Sequence, residues 1–345
     1  MNANAQTCNP WLHRFAVLTA VATFLLLGAG GLVTSHEAGM SVPDWPNSYG
    51  YNMFAFPISK WTGGIFYEHT HRLWASAVGL MTTILAIWLW LKDSRQWMKW
   101  LGVTAFLLVV AQGVLGGLRV TMKMDSLGIF HGVTAQSFFV LTCAIALFTS
   151  RFWSGLAAKQ KTFSVPRGLR SHVLFVTILI FLQLVLGATM RHQHAGLAIP
   201  DFPLAYGKIW PDISADAIAG YNARRISVTA ENPVTAFQII LQMVHRFVAL
   251  VIFLGVAAGA WLAQRRLGGK DPLTKLAVFW VALVFSQIAL GAATIWSNKA
   301  ADVATAHVLV GALALVTGAL WCVIAFQRSS VDKYCPSGAK WVDLG

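Results

Sequence analysis

Four histidines, one glutamate and two arginines carry the chemistry that this sequence offers. His71, His131, His245 and His307 each stand near the end of a long apolar stretch, and His71-Arg72 recurs as His245-Arg246. An ionisable group inside such a stretch is costly and marks a functional site by default. One histidine from each of two helices can ligate something flat held between them, and haem iron takes axial histidine. Zinc draws in three or four ligands, commonly including thiolate or carboxylate. Each half of the chain offers two histidines and no well-placed cysteine, which favours haem. Glu68 lies three residues before His71, on the same face of a helix, and the matching position in the second half is Gln242, which transfers no proton at neutral pH. Glu68 could act on a proton there or pair with Arg72 four residues on. Arg72 and Arg246 could neutralise haem propionates or snorkel to lipid headgroups. Of the remaining histidines, His69 falls outside the repeat. His13 and His172 at span ends, and His36, His192 and His194 in loops, are expected to be solvated.

The elements that must position these residues are membrane helices. The 345 residues are 57% hydrophobic and only 11% charged, with a mean hydropathy of +0.61. An average soluble domain is about 25% charged, so an ordinary soluble enzyme, a disordered chain and a nucleic-acid reader built on a basic surface are excluded. A helix needs about 20 mostly apolar residues to cross the hydrocarbon. Eight stretches meet this, at about 14–34, 66–91, 98–119, 127–150, 171–190, 236–263, 274–296 and 303–327. Short segments of alternating polarity, as a membrane barrel needs, do not occur. The fold class expected is all-α and integral to the membrane.

The net charge of +13 then reports orientation. Sixteen Lys and Arg residues fall in the two tails and the even-numbered loops, eight fall on the opposite side, and Arg72 and Arg246 lie within spans. This bias places both termini in the cytoplasm and the long segments 35–65 and 191–235 outside. No Arg/Ser-rich leader precedes the first span, so a bacterial inner membrane is expected. Cys8 and Cys335 fall in the tails, Cys143 and Cys322 within spans, and no Cys-x-x-Cys-His stands ready for covalent haem attachment.

The chain is internally duplicated. Residues 38–50, AGMSVPDWPNSYG, match 195–207, AGLAIPDFPLAYG, at seven of thirteen positions. Gln112-Gly113-Val114-Leu115-Gly116 corresponds to Gln287-Ile288-Ala289-Leu290-Gly291, and His131 to His307. Four helices per unit give both units the same orientation, as tandem parallel four-helix bundles, divided at about 160/161. The paired prolines stiffen the long loops, and Trp45, Tyr49, Phe202 and Tyr206 suit an interface. Each loop is expected to cap its bundle, with a share in substrate binding as the alternative. Gly113-x-x-x-Gly117 offers a face for helix packing within or between chains.

Eight spans in two repeats, Glu-x-x-His-Arg at 68–72, His-Arg at 245–246, and His131 and His307 together resemble the haem A synthase family, over essentially the whole chain. The resemblance implies oxidation of a ring methyl of haem O to formyl by successive hydroxylation, for terminal oxidase assembly. It implies that His245 and His307 ligate a haem b cofactor in residues 161–345. It implies that His71 and His131 face substrate haem O in residues 1–160, with Glu68 catalytic. Haem O synthase and oxidase subunits are the implied partners, with membrane lipid, no nucleic acid, and a homo-oligomer as a further arrangement. Many bacterial members carry a cysteine pair in the first outer loop, where this chain has PDWP instead. A haem b electron carrier and a parallel-repeat transporter are the competing readings. The transporter fits less well, because its polar groups belong at mid-membrane and these lie near one edge.

Overall fold

A computed structural model describes residues 9–124, 126–158, 164–225 and 233–329. The chain begins with α1 (Pro10–Ser35), α2 (Gly63–Lys92), α3 (Gln96–Thr121) and α4 (Leu127–Phe148), followed by the short α5 (Arg151–Ala158). It continues with α6 (Arg167–His192), the short α7 (Ala215–Ala223), α8 (Ala236–Leu267), α9 (Pro272–Trp296) and α10 (Ala301–Ser329). Eight of these are long and apolar enough to cross a membrane, and each coincides with an expected stretch. The two short helices are additions that hydropathy does not reveal. Among the described residues there is no β-strand, only isolated bridges in the two long loops. Cys8, Cys335, Lys159, Lys161, Lys333 and Lys340 lie outside the described residues, as does the expected boundary at 160/161.

The helices begin where the chain supplies caps. Asn9 accepts hydrogen bonds from the Trp11 and Leu12 amides ahead of Pro10. Asp271 does the same for Leu273 ahead of Pro272, and Thr235 forms a capping box with Gln238. Such caps satisfy amides that the helix itself leaves unpaired.

α1 packs on α2 and α4, α2 on α3, and α3 on α4, closing a ring of four; α6, α8, α9 and α10 close a second ring. The first is filled by Leu12, Val78, Leu85, Leu89, Met98, Phe138 and Ile145. The second is filled by Val173, Ile180, Val256, Val284 and two buried tryptophans. Trp280 donates to the Ala314 carbonyl at 2.7 Å and Trp321 to the Leu273 carbonyl at 2.9 Å, so neither indole N–H is left unmet in the apolar core. α1 and α4 meet α6 and α10 along a seam where Phe139 packs on Ala312 and Val316.

At the end away from the long loops, His13 bonds the Ala146 carbonyl and Thr149. On the other side of the seam, His172 bonds the Gly255 carbonyl at 2.8 Å. These two were expected to be solvated; instead they satisfy carbonyls of neighbouring helices. His192 is the last residue of α6, and its ring packs on Gly128 of α4. His36 and His194 are exposed, as expected.

Candidate functional site

Both long loops lie at one end of the molecule, and they are built alike to the atom. In the first, Asp44 accepts the amides of Tyr49 (2.7 Å) and Gly50 (2.8 Å); in the second, Asp201 accepts those of Tyr206 (2.7 Å) and Gly207 (2.9 Å). Tyr49 OH donates to the Ser41 carbonyl and Tyr206 OH to the Ala198 carbonyl. Gly50 and Gly207 take φ of +77° and +76°, which glycine alone adopts without penalty. Trp45-Pro46 and Phe202-Pro203 are both cis. The aspartate of each Pro-Asp-x-Pro element is therefore the staple of its turn. Burial presses the Asp44 carboxyl upward, but the Gly50 and Tyr49 amides outweigh it and hold its pKa below the ordinary value.

Each loop is pinned to its bundle from below by the arginine of the His-Arg pair. Arg72 donates to the carbonyls of Val42 (2.8 Å), Asp44 (2.7 Å) and Asn47 (3.1 Å), and to Glu68 Oε1 (2.7 Å). Arg246 donates to the carbonyls of Asp201 (2.7 Å) and Leu204 (2.9 Å). The terminal guanidinium nitrogens of both residues thus hold loop backbone. Beside each arginine a buried side chain accepts the amide of the residue two before the Asp. Glu68 Oε2 accepts Val42 N at 2.8 Å, and Gln242 Oε1 accepts Ile199 N at 2.7 Å. Glu68 is 4% and Gln242 2% exposed. Both alternatives considered for Glu68 meet in one place: it pairs with Arg72, and it lies one helical turn from His71.

The four repeated histidines share one environment. A Cβ added to Gly30 of α1 would lie 3.1 Å from His71 Cε1, and one on Gly116 of α3 would lie 3.4 Å from His131 Cε1. In the second half, Gly187 of α6 stands in the same relation to His245 (3.5 Å), and Gly291 of α9 to His307 (3.2 Å). Each imidazole edge rests on a bare stretch of neighbouring backbone. Each ring also leaves Nδ1 buried with no hydrogen-bond partner in the protein. His71 and His131 are electrostatic neighbours, and so are His245 and His307. A buried polar nitrogen without a partner is expensive, and four at equivalent positions mark rings that serve something other than the protein's own packing. Two imidazoles per half, each seated on a glycine of a neighbouring helix, fit a haem held between helices. Among the described residues, no three His, Cys, Asp or Glu side chains converge as a metal ion would require.

His69 separates from this set. It is fully buried in the first loop's own packing, with Nδ1 3.2 Å from Ser48 Oγ and its ring against Phe56 and Trp61. Gly113-x-x-x-Gly117 is not a helix-packing face within the chain. Gly113 faces open space and Gly117 receives the Trp45 indole of the loop. The supporting role of the glycines was missed in the sequence, although Gly116/Gly291 recur at 175 residues, between the 174 and 176 of the histidine pairs, and Gly30/Gly187 recur at the 157 residues that separate the two loops.

The sequence matches the family described as "Cytochrome oxidase assembly protein" over residues 13–319. It is 27% identical over 306 residues to a protein named "Heme A synthase" from Alkalihalophilus pseudofirmus, covering 87% of this chain and 92% of that one. A "Heme A synthase" of Lysinibacillus sphaericus is 26% identical over 332 residues, covering 94% and 98%. One from Geobacillus kaustophilus is 28% identical over 305 residues, covering 86% of each chain.

Proposed function

Because the chain belongs to the haem A synthase family of cytochrome oxidase assembly proteins, we propose that it oxidises a ring methyl of haem O to a formyl group by successive hydroxylation. The family makes it an oxidoreductase, and eight apolar helices make it a multi-pass membrane protein. The observation that carries the finer reading is a symmetry broken at the carboxylate. Four His–Gly seats repeat across the two halves, while the carboxylate beside the first of them, Glu68, is an amide, Gln242, in the second.

In this reading His71 and His131 hold substrate haem O, and His245 and His307 ligate a resident haem b. When bound, haem b would carry electrons away from the methyl being oxidised. Glu68 takes the proton-accepting role, since it is the carboxylate one turn from a substrate-facing histidine. Its ion pair with Arg72 and its bond to the Val42 amide fix where that carboxylate sits, so the loop above and the acid below are positioned together. Arg72 and Arg246 serve the site by closing it, which excludes water from reacting groups and strengthens their electrostatics. The excess of basic residues at the opposite end supports a topology with both termini in the cytoplasm and the loops outside.

The test is co-expression with a source of haem O, followed by extraction of the haems and identification by mass. Haem A formed only with the intact protein supports the reading. Haem b alone, with haem O unconverted, makes the protein an electron carrier and overturns it.

A further inference from the structure

The two halves differ in a second way, one turn beyond the glycine seats and toward the loops. In α3, Arg119 follows Gly116 by three residues, on the same face and about 4.5 Å along the axis. Its counterpart after Gly291 in α9 is Thr294, whose hydroxyl only returns to the Leu290 carbonyl of its own helix. The loops above differ to match. The Arg119 guanidinium turns its Nη1–Nη2 edge to Gly39, and a Cβ there would fall 2.7, 2.9 and 3.1 Å from Nη1, Nη2 and Cζ. The equivalent Gly196 has nothing within 4 Å. Arg119 therefore stands one helical turn beyond the Gly116 seat of His131, on the side toward the first loop.

We infer that Arg119 is the cation that receives a propionate carboxylate of the tetrapyrrole held by His71 and His131, seated for that purpose under Gly39. This rests on the reading of that pair as a haem site. A tetrapyrrole whose iron lies at the histidines and whose acids point to the water-facing edge presents its carboxylates one turn out from the rings, which is the level of Arg119. Guanidinium matches a carboxylate in a paired, directional way. The cation in place of Thr294 gives this half a means of selecting a free-acid ligand and fixing which edge enters first. That selection sets which ring methyl faces Glu68.

Haem O and its propionate dimethyl ester are titrated into detergent-solubilised protein that keeps the haem of its second half, and binding is read from the Soret difference. The unaltered protein should bind the free acid about tenfold or more tightly than the ester, the size of a single partly buried charge-assisted contact. Arg119→Gln should bring the ratio to within about twofold of one. Gly39→Ala, which pushes the guanidinium aside without removing it, should do the same, while Gly196→Ala should leave the ratio intact. Haem O bound by both Arg119→Gln and Gly39→Ala with the unaltered ratio overturns the assignment; this is also what a lipid headgroup on Arg119 would give. Failure of the unaltered protein to bind haem O at all overturns the functional reading itself.

Discussion

Glu68 and Gln242 do the same structural work with different chemistry. Each is buried, each accepts the amide at the equivalent point of its loop, at 2.8 and 2.7 Å, and each lies three residues before a repeated histidine. Gln242 also donates to the Gly196 and Ile199 carbonyls, so an amide is accommodated at this position without disturbing the loop. The molecule thus contains its own control for separating the carboxylate's structural role from its chemical one.

Glu68→Gln is accordingly expected to fold, to keep its haems and to lose conversion of haem O by about 10²-fold or more, the usual worth of a positioned proton acceptor. The ratio of haem A to haem O in extracts measures this. Conversion at the unaltered rate would leave Glu68 as a latch only.

The glycine seats make a steric prediction. Gly291→Ala would bring a methyl to 3.2 Å from His307 Cε1 and should shift the low-spin electron paramagnetic resonance signal of the bound haem or abolish it. Gly113→Ala, where a methyl meets nothing within 4 Å, should leave the spectrum unchanged. Identical spectra for both variants would reject the seats as part of the haem site.

Arg72→Gln leaves three loop carbonyls and a buried carboxylate without their donor. The expected cost is about 3–5 kcal/mol, because the buried charge left behind loses its counterion and keeps only the Val42 amide. Cleavage of residues 36–62 by added protease should quicken, while 193–225 stays protected. Equal protection of the first loop in the variant would show that Arg72 does not hold it.

The Asp44 staple predicts acid sensitivity. Its folded-state pKa lies below the ordinary 3.8, so its contribution to the loop is complete above that value and is lost as pH falls through and below it. Amide exchange in the peptide containing Tyr49 and Gly50, corrected for intrinsic rates, should accelerate only below about pH 4. Asp44→Asn should remove that step. A transition near neutral pH would assign the sensitivity to another group.

Much of the molecule is legible in the sequence because the bilayer leaves few choices. Eight apolar stretches of sufficient length become eight helices, and the loop repeat reveals the duplication in which the histidines of the following spans pair. What sequence does not display is backbone. Arg72 and Arg246 hold carbonyls, which look the same beside every residue type, so the loop-pinning role could not be read from their neighbours. The glycines under the imidazoles are hidden among many others, since small residues are common in membrane helices, and only their recurrence sets them apart. His69 shows the converse: by type and location it resembles a ligand, the repeat sets it apart, and its packing against Phe56, Trp61 and Ser48 supplies the physical reason.

One contact across the seam has a consequence for the molecule as a duplicated object. Arg191 of α6 donates to the Gly31 carbonyl at 2.6 Å and to Ser35 Oγ at 2.7 Å, both at the end of α1. By the repeat, its counterpart is Thr34, which bonds the Gly30 carbonyl of its own helix. The second set of helices thus completes the first, with nothing returned from the equivalent position. Two copies of either set alone would lack that tie or duplicate its charge, so the halves have become complements that cannot be exchanged. Severed within 159–163, they should regain haem only when both pieces are made together.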